Sequence, residues 1–443
     1  MYSPIRISPE SVHDTLRRHL LVDGYPMVVD LERSQGSLLR DARTGRELLD
    51  FFSFFASNPI GFNHPKMTTD AVRQRLSEVS TMRVSNSDYY TTYMAEFVAT
   101  LERTAAPDGF PYYFFIDGGA LAVENAMKTA FDWKVRKNLQ AGKGARGSQV
   151  LHLERAFHGR SGYTLSVTNT DPVKTDHFPK FPWPRISSPA QRFPVTPEST
   201  QAVAAAEAES LAAARRALIE ADGDVAAILL EPIQAEGGDN HFRTEYLSGL
   251  RALADEFEAL LIFDEVQTGL GMTGTWWAFQ QLGVVPDIVC FAKKMQVGGI
   301  FVSPRIDDVE EHVFRKSSRI NSTWGASLVD MVRCTRILEI MEEDQVLANV
   351  TARGEELLTG LRELEARVPE VTGARGRGLM CAIDLPSAEL RGRVVRRCFE
   401  EGMVVLPCGT QSVRFRPTLT VTAEVIAEGV ARLGRAIEHV LRG

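Results

Sequence analysis

Two short polar signals in the segment Glu258–Gly299, EALLIFDEVQTGLGMTGTWWAFQQLGVVPDIVCFAKKMQVGG, could do chemistry together. The apolar run ALLIF ends in Asp264-Glu265, and the run DIVCF ends, after Ala292, in Lys293-Lys294. Each run has the length and composition of a fully buried strand. Side chains at the carboxyl ends of buried parallel strands converge on one crevice, so an acid and an amine distant in sequence can meet over the same ligand. Taken singly, either run could be an ordinary strand closed by solvated charges. Together they offer a lysine that can bind a carbonyl group and a carboxylate that can hold a proton on a partner atom.

That pairing suits pyridoxal phosphate, which needs a lysine to hold it as a Schiff base and a carboxylate to keep its ring nitrogen protonated. The order strand, Asp-Glu-Val-Gln-x-Gly, second strand, Phe-x-Lys resembles the class III aminotransferases. Lys293 stands at the strand end in the Phe-x-Lys position and is taken as the cofactor lysine, although counting back from Gly298-Gly299 would favour Lys294.

The rest of the chain must position these groups. At 443 residues, 44% hydrophobic and 24% charged, it is long enough for two domains. The net charge of −7 and a pI near 5.8 leave no dense basic face for nucleic acid. Five cysteines with no C-x-x-C pair, and no His cluster at ligand spacing, argue for reduced thiols and against a metal site. The N-terminus lacks the pattern of a signal peptide, and no apolar run reaches the roughly 18 residues of a membrane span. The expected setting is cytoplasmic.

In chain order, Ser8–Gly24 reads as an arm helix, and residues 26–65 as a small antiparallel sheet with the turn DARTG. The cluster Phe51, Phe52, Phe54 and Phe55 reads mainly as packing, with Phe55–Ser57 as candidates for pocket lining. The strand YYFFI leads into Gly118-Gly119-Ala120, a small-residue turn opening a long helix. Free backbone N–H groups at such a start suit a phosphate, although a turn that merely connects strand to helix would look the same. In AFHGRSG, Phe157 could stack on a flat heterocycle, and His158 reads as a hydrogen-bonded structural histidine. Pro172–Pro197 is too long and irregular to be a simple connection. AAILLEP reads as another buried strand, with Glu236 in the glycine-flanked loop after it. Asn321–Gly325 reads as the cap of a helix running through Met331. Beyond Val329, helices alternate with strands in an α+β pattern.

The motifs AFHGRSGYTLS, EPIQAEGGD, FDEVQTG, FAKKMQVGG, NSTWG and VRFRPTLT together resemble the lysine 6-aminotransferase branch of class III, over essentially the whole chain. Small departures are Ala235, where glycine is expected, and Met295. The resemblance implies a fold-type I α/β architecture: a large domain with a mostly parallel seven-stranded sheet, and a smaller α+β domain built from both termini. The expected boundaries are an arm and part of the small domain over 1–75, the cofactor domain over 76–328 and the C-terminal domain over 329–443.

It further implies transfer of the ε-amino group of L-lysine to 2-oxoglutarate, giving L-2-aminoadipate 6-semialdehyde, which cyclises to piperideine-6-carboxylate, and L-glutamate. Lys293 and Asp264 would be catalytic. Gly119, Ala120, Phe157, Gln267 and, from the neighbouring subunit of a homodimer, Thr323 would join them in holding the cofactor. Arg160 would bind the distal carboxylate of either substrate, with Gln267 and Asn321 also counted among the substrate contacts. Arg416 would bind the α-carboxylate of the keto acid and pair with Glu236 when lysine is bound. Ornithine or 4-aminobutyrate as donor, and a non-catalytic scaffold, are the alternatives.

Overall fold

A computed structural model describes residues 4–442. Its central sheet has seven strands in the order Tyr112–Ile116, Gly298–Val302, Ile288–Phe291, Leu260–Asp264, Val225–Leu230, Gln149–Leu153, Arg185–Ile186. Only Gly298–Val302 runs antiparallel to its neighbours. The continuous apolar runs are explained by cover on both faces. Leu229, Leu260, Ile262, Ile288 and Cys290 pack with Val123, Ala126, Met127, Ala130 and Trp133 of the helix Gly119–Gln140. Ile228, Leu230, Leu261, Phe263, Val289 and Phe291 belong to the larger core on the other side. Each such buried side chain contributes about 1.5–3 kcal/mol relative to exposure.

Register sets the chemistry. Cys290 pairs with Asp264 in parallel, so the chain leaving the Ile288–Phe291 strand delivers Lys293 just beyond the end where Asp264 sits. Because Gly298–Val302 runs the other way, its first residue also lies at this edge, opposite Ile116. A Cβ on Gly298 would stand 2.6 Å from the Gly118 carbonyl oxygen, so only glycine lets the Gly118 turn pass over it.

Beside this sheet, Leu38–Arg40 and Glu47–Asp50 form the expected antiparallel pair. They are joined by Met403–Val404, parallel to the second of them, so a strand from each end of the chain shares one sheet. A four-stranded sheet of Thr372–Arg377, Met380–Asp384, Ser412–Phe415 and Leu406–Cys408 lies among the helices Val346–Arg367, Ala388–Glu400 and Ala423–Arg442. The arm helix is shorter than its pattern predicts, a 3₁₀ turn at Pro9–Ser11 and an α-helix at Val12–Arg17, and it buries no residue. The expected cap at Asn321–Gly325 is corrected: that segment is irregular, and the helix Leu328–Glu343 starts at Ser327, whose hydroxyl accepts from the Asp330 N–H. Among the described residues no helix is long and apolar enough to cross a membrane.

Candidate active site

The carboxyl edge of the large sheet encloses a cavity of about 500 Å³, lined among others by Gly119, Ala120, Phe157, Arg160, Glu236, Asp264, Gln267 and Lys293. Eight of the predicted site residues therefore meet in one place. Ser57 of the predicted pocket segment lines it too, whereas Phe55 is nearly half exposed and does not.

The two lysines separate cleanly. Lys293 has a left-handed backbone (φ 48°) and lines the cavity. Lys294 is fully buried and does not line the cavity; its Nζ donates to the carbonyl oxygens of Gln267 (2.8 Å) and Ala56 (3.4 Å). Burial, with Arg414 nearby, lowers the Lys293 pKa to about 8 against the opposing pull of Asp264 and Glu231. The neutral amine, the nucleophilic form, should therefore grow in as pH rises through about 8 rather than near the ordinary lysine value of 10.5. Reductive methylation of cofactor-free protein, read peptide by peptide, should show that inflection at Lys293. An inflection at the ordinary value would contradict the geometry.

Asp264 is 5% exposed. One oxygen accepts from the Val266 N–H at 3.0 Å, and the other meets His158 Nδ1 at 2.7 Å. His158 is thus hydrogen-bonded, as its type suggests, but its partner is the acid on which the predicted chemistry turns. Glu231 lines the cavity with them; its oxygens accept from the Phe157 and Ala235 N–H groups, each at 3.0 Å, and burial raises its pKa to about 7 although His158 works the other way. Neither role was read from the sequence. His158 and Asp264 are 106 positions apart, and no local pattern marks the pairing.

The turn predicted to hold a phosphate is a bare helix start. Gly118 at φ 89° precedes the helix Gly119–Gln140, and no side chain caps it. Its first N–H groups therefore lack both intrahelical and side-chain acceptors. With an uncapped helix start, the Phe157 ring, an acid and a lysine of lowered pKa around one cavity, the residues present fit pyridoxal phosphate.

At the residues predicted to bind substrate, the structure corrects the sequence reading. Arg416 does not pair with Glu236: it is fully buried and bound to Asp239, itself fully buried, with Nη1 to Oδ2 at 3.0 Å, and Nε reaches Gln267 Oε1 at 3.0 Å. The partner of Glu236 is Arg414, on the strand Ser412–Phe415, with Nη2 to Oε2 at 3.1 Å and Nη1 to Gln267 Oε1 at 3.2 Å. Arg416 stands one residue past that strand, both guanidiniums reach Gln267, and the motif alone does not say which one meets Glu236. The other oxygen of Glu236 holds Lys174. Burial works to raise the Glu236 pKa, but Arg414 and Lys174 hold it below its ordinary value. Arg160 lines the cavity, is exposed and has no ion pair among the described residues. Asn321 and Thr323 are exposed and do not line this cavity.

Comparison with known proteins gives the family and agrees with the fold. The family model for class-III aminotransferases matches residues 21–437. An L-lysine-epsilon aminotransferase of Streptomyces clavuligerus is 51% identical over 434 residues, 97% of this chain and 95% of that protein. The structure of the Mycobacterium tuberculosis lysine aminotransferase in its internal aldimine form superposes with a TM-score of 0.96 at 49% identity, covering 98% of this chain and 100% of that one. The mitochondrial 4-aminobutyrate aminotransferase of Mus musculus is similar at 31% identity, over 88% of this chain and 80% of the mouse protein. The chain belongs to the class-III aminotransferases.

Proposed function

We propose that this chain is a pyridoxal-phosphate-dependent L-lysine 6-aminotransferase, moving the ε-amino group of L-lysine to 2-oxoglutarate to give L-2-aminoadipate 6-semialdehyde and L-glutamate. The observation that carries the reading is the Glu236–Arg414 ion pair beside Lys293, in a chain about half identical to lysine ε-aminotransferases along nearly its whole length.

The bound cofactor would supply an electron sink for the carbon that carries the transferred amine. Asp264 holds the proton on its ring nitrogen, and His158 fixes the orientation of that carboxylate. The uncapped start of the helix Gly119–Gln140, with Gly119 and Ala120, would receive its phosphate, Phe157 its ring and Gln267 its phenolic oxygen. Lys293, partly neutral near pH 8, takes a proton from the substrate carbon bearing the amine and returns one on the other side of the transfer.

The two substrates differ at the reacting carbon. In lysine it bears no carboxylate, and in 2-oxoglutarate it bears one. A free arginine there would be an uncompensated buried charge in the first half of the cycle and a needed partner in the second. With Glu236 on Arg414 the site is neutralised for lysine, and with Glu236 displaced Arg414 takes the keto acid's α-carboxylate. Arg160, at the cavity and with no ion pair among the described residues, would hold the distal carboxylate of either substrate. Thr323 and Asn321, exposed and outside their own cavity, would complete the site of a second copy in a homodimer. Five free buried cysteines support a reducing, cytoplasmic setting.

The test is donor choice. Cofactor-loaded protein mixed with L-lysine, L-ornithine or 4-aminobutyrate, with no keto acid present, should lose the absorbance of its bound cofactor fastest with lysine and yield a trappable semialdehyde. Faster loss with either other donor would move the substrate within the same family.

A further inference from the structure

The Glu236 carboxylate serves two cations. One oxygen lies 3.1 Å from Arg414 Nη2, and the other is in direct ion pair with Lys174 Nζ. Arg414 is 2% exposed, while Lys174 and Glu236 are each 24% exposed, so the carboxylate sits between a buried arginine and a lysine at the rim. Lys174 belongs to the 3₁₀ turn Pro172–Lys174 in the long proline-rich loop, and Asp171 fixes that turn by accepting from the Val173 N–H at 3.0 Å. Its Nζ also stands 5.5 Å from the centroid of the Phe157 ring, which lines the cavity. Lys174 itself is not among the residues lining the cavity.

A carboxylate that gives up one cation in a partly buried place needs another, or the displacement costs as much as stripping its charge. We propose that Lys174 is the second seat of Glu236: a positioning residue that keeps the carboxylate paired once Arg414 has turned to a substrate carboxylate. It thereby sets how readily the site changes between its two substrates. The inference rests on the reading that Glu236 leaves Arg414 when the keto acid binds.

Removing Lys174 does not affect the two states equally. With Glu236 on Arg414, the carboxylate loses one of two partners and stays paired. With Arg414 engaged elsewhere, it loses its only partner. The substitution Lys174→Met preserves length and contact with Phe157 while removing the charge. It should therefore penalise keto-acid binding and leave lysine use nearly alone.

Equilibrium binding of glutarate, a dicarboxylate without the reacting carbonyl, to the cofactor-loaded enzyme by calorimetry is the first readout, and the two half-reactions are the second. Expected for Lys174→Met is roughly tenfold weaker glutarate binding and a matching rise in the KM for 2-oxoglutarate, as for loss of one partner of a charge pair. The lysine half-reaction should change less than threefold, and Lys174→Arg should restore binding. In a Glu236→Gln background the effect of Lys174→Met should vanish, because the neutral side chain needs no seat. Unchanged glutarate binding in Lys174→Met, or equal losses on both substrates, would overturn the proposal. If Glu236→Gln alone fails to alter the balance between lysine and keto acid, the exchange reading itself fails, and that result is distinct from failure of Lys174.

Discussion

Replacing Lys293 by alanine is expected to remove measurable amino transfer, since loss of a positioned proton carrier alone costs roughly 10²–10⁴-fold and the covalent attachment point is lost with it. Lys294→Ala should behave differently. The Lys294 amine is fully buried and bonded to two backbone carbonyls, those of Ala56 and Gln267, and burial beside Lys293 holds its pKa well below the ordinary value. Removing it leaves buried acceptors unsatisfied, at about 1–3 kcal/mol each, and loosens the turn that carries Ser57 to the cavity. The protein should melt earlier yet still capture cofactor and turn over lysine. Borohydride reduction of the loaded wild-type protein followed by peptide mass analysis assigns the attachment independently. A label on Lys294, or a Lys293→Ala protein that still transfers amines, would reverse the assignment.

The difference between these neighbours shows what the sequence could carry. Asp264 and Lys293 were legible because a buried strand announces itself by an unbroken apolar run, and its carboxyl end is where a parallel sheet displays chemistry. Gly118–Ala120 was legible for a related reason, a small-residue turn between strand and helix. What was not legible depended on contacts between distant segments or on backbone conformations without a residue signature. His158 and Glu231 acquire their roles only when the sheet places them against Asp264. The segment Ser53–Ala56 takes positive φ at four successive positions, none of them glycine, at about 1–2 kcal/mol per residue.

No propensity predicts such a left-handed turn, because tertiary contacts impose it. Asp50 accepts from the Phe52 and Ser53 N–H groups at 3.0 and 2.8 Å. Lys294 donates to the Ala56 carbonyl, and Gln296 Nε2 donates to that of Ser57 at 2.7 Å. Strain of this kind is concentrated at functional sites and held there by surrounding structure. Here it ties the Phe51–Ser57 segment directly to the turn that carries Lys293, so the wall of the cavity and the reactive amine are set by one group of hydrogen bonds.

Arg414 and Arg416 give the second large expected effect, and the two variants should fail in different ways. Arg414→Gln removes the cation that Glu236 covers and that the keto acid requires. The lysine half-reaction should persist, while the 2-oxoglutarate half-reaction falls by roughly 10²-fold or more, as when one member of a buried charge pair is truncated. Arg416→Gln leaves Asp239 with no cation in a fully buried place. That loss is worth about 3–5 kcal/mol of stability, seen as a lower urea midpoint, and it should slow both half-reactions together as Gln267 loses one of its two guanidinium donors. Neutralising both members, Arg416→Met with Asp239→Asn, should return much of the stability, because the penalty lies in the uncompensated charge more than in the missing pair. If Arg416→Gln folds with wild-type stability and loses only the keto-acid half-reaction, then Arg416 is the carboxylate receptor after all, and the Glu236–Arg414 contact is a bystander.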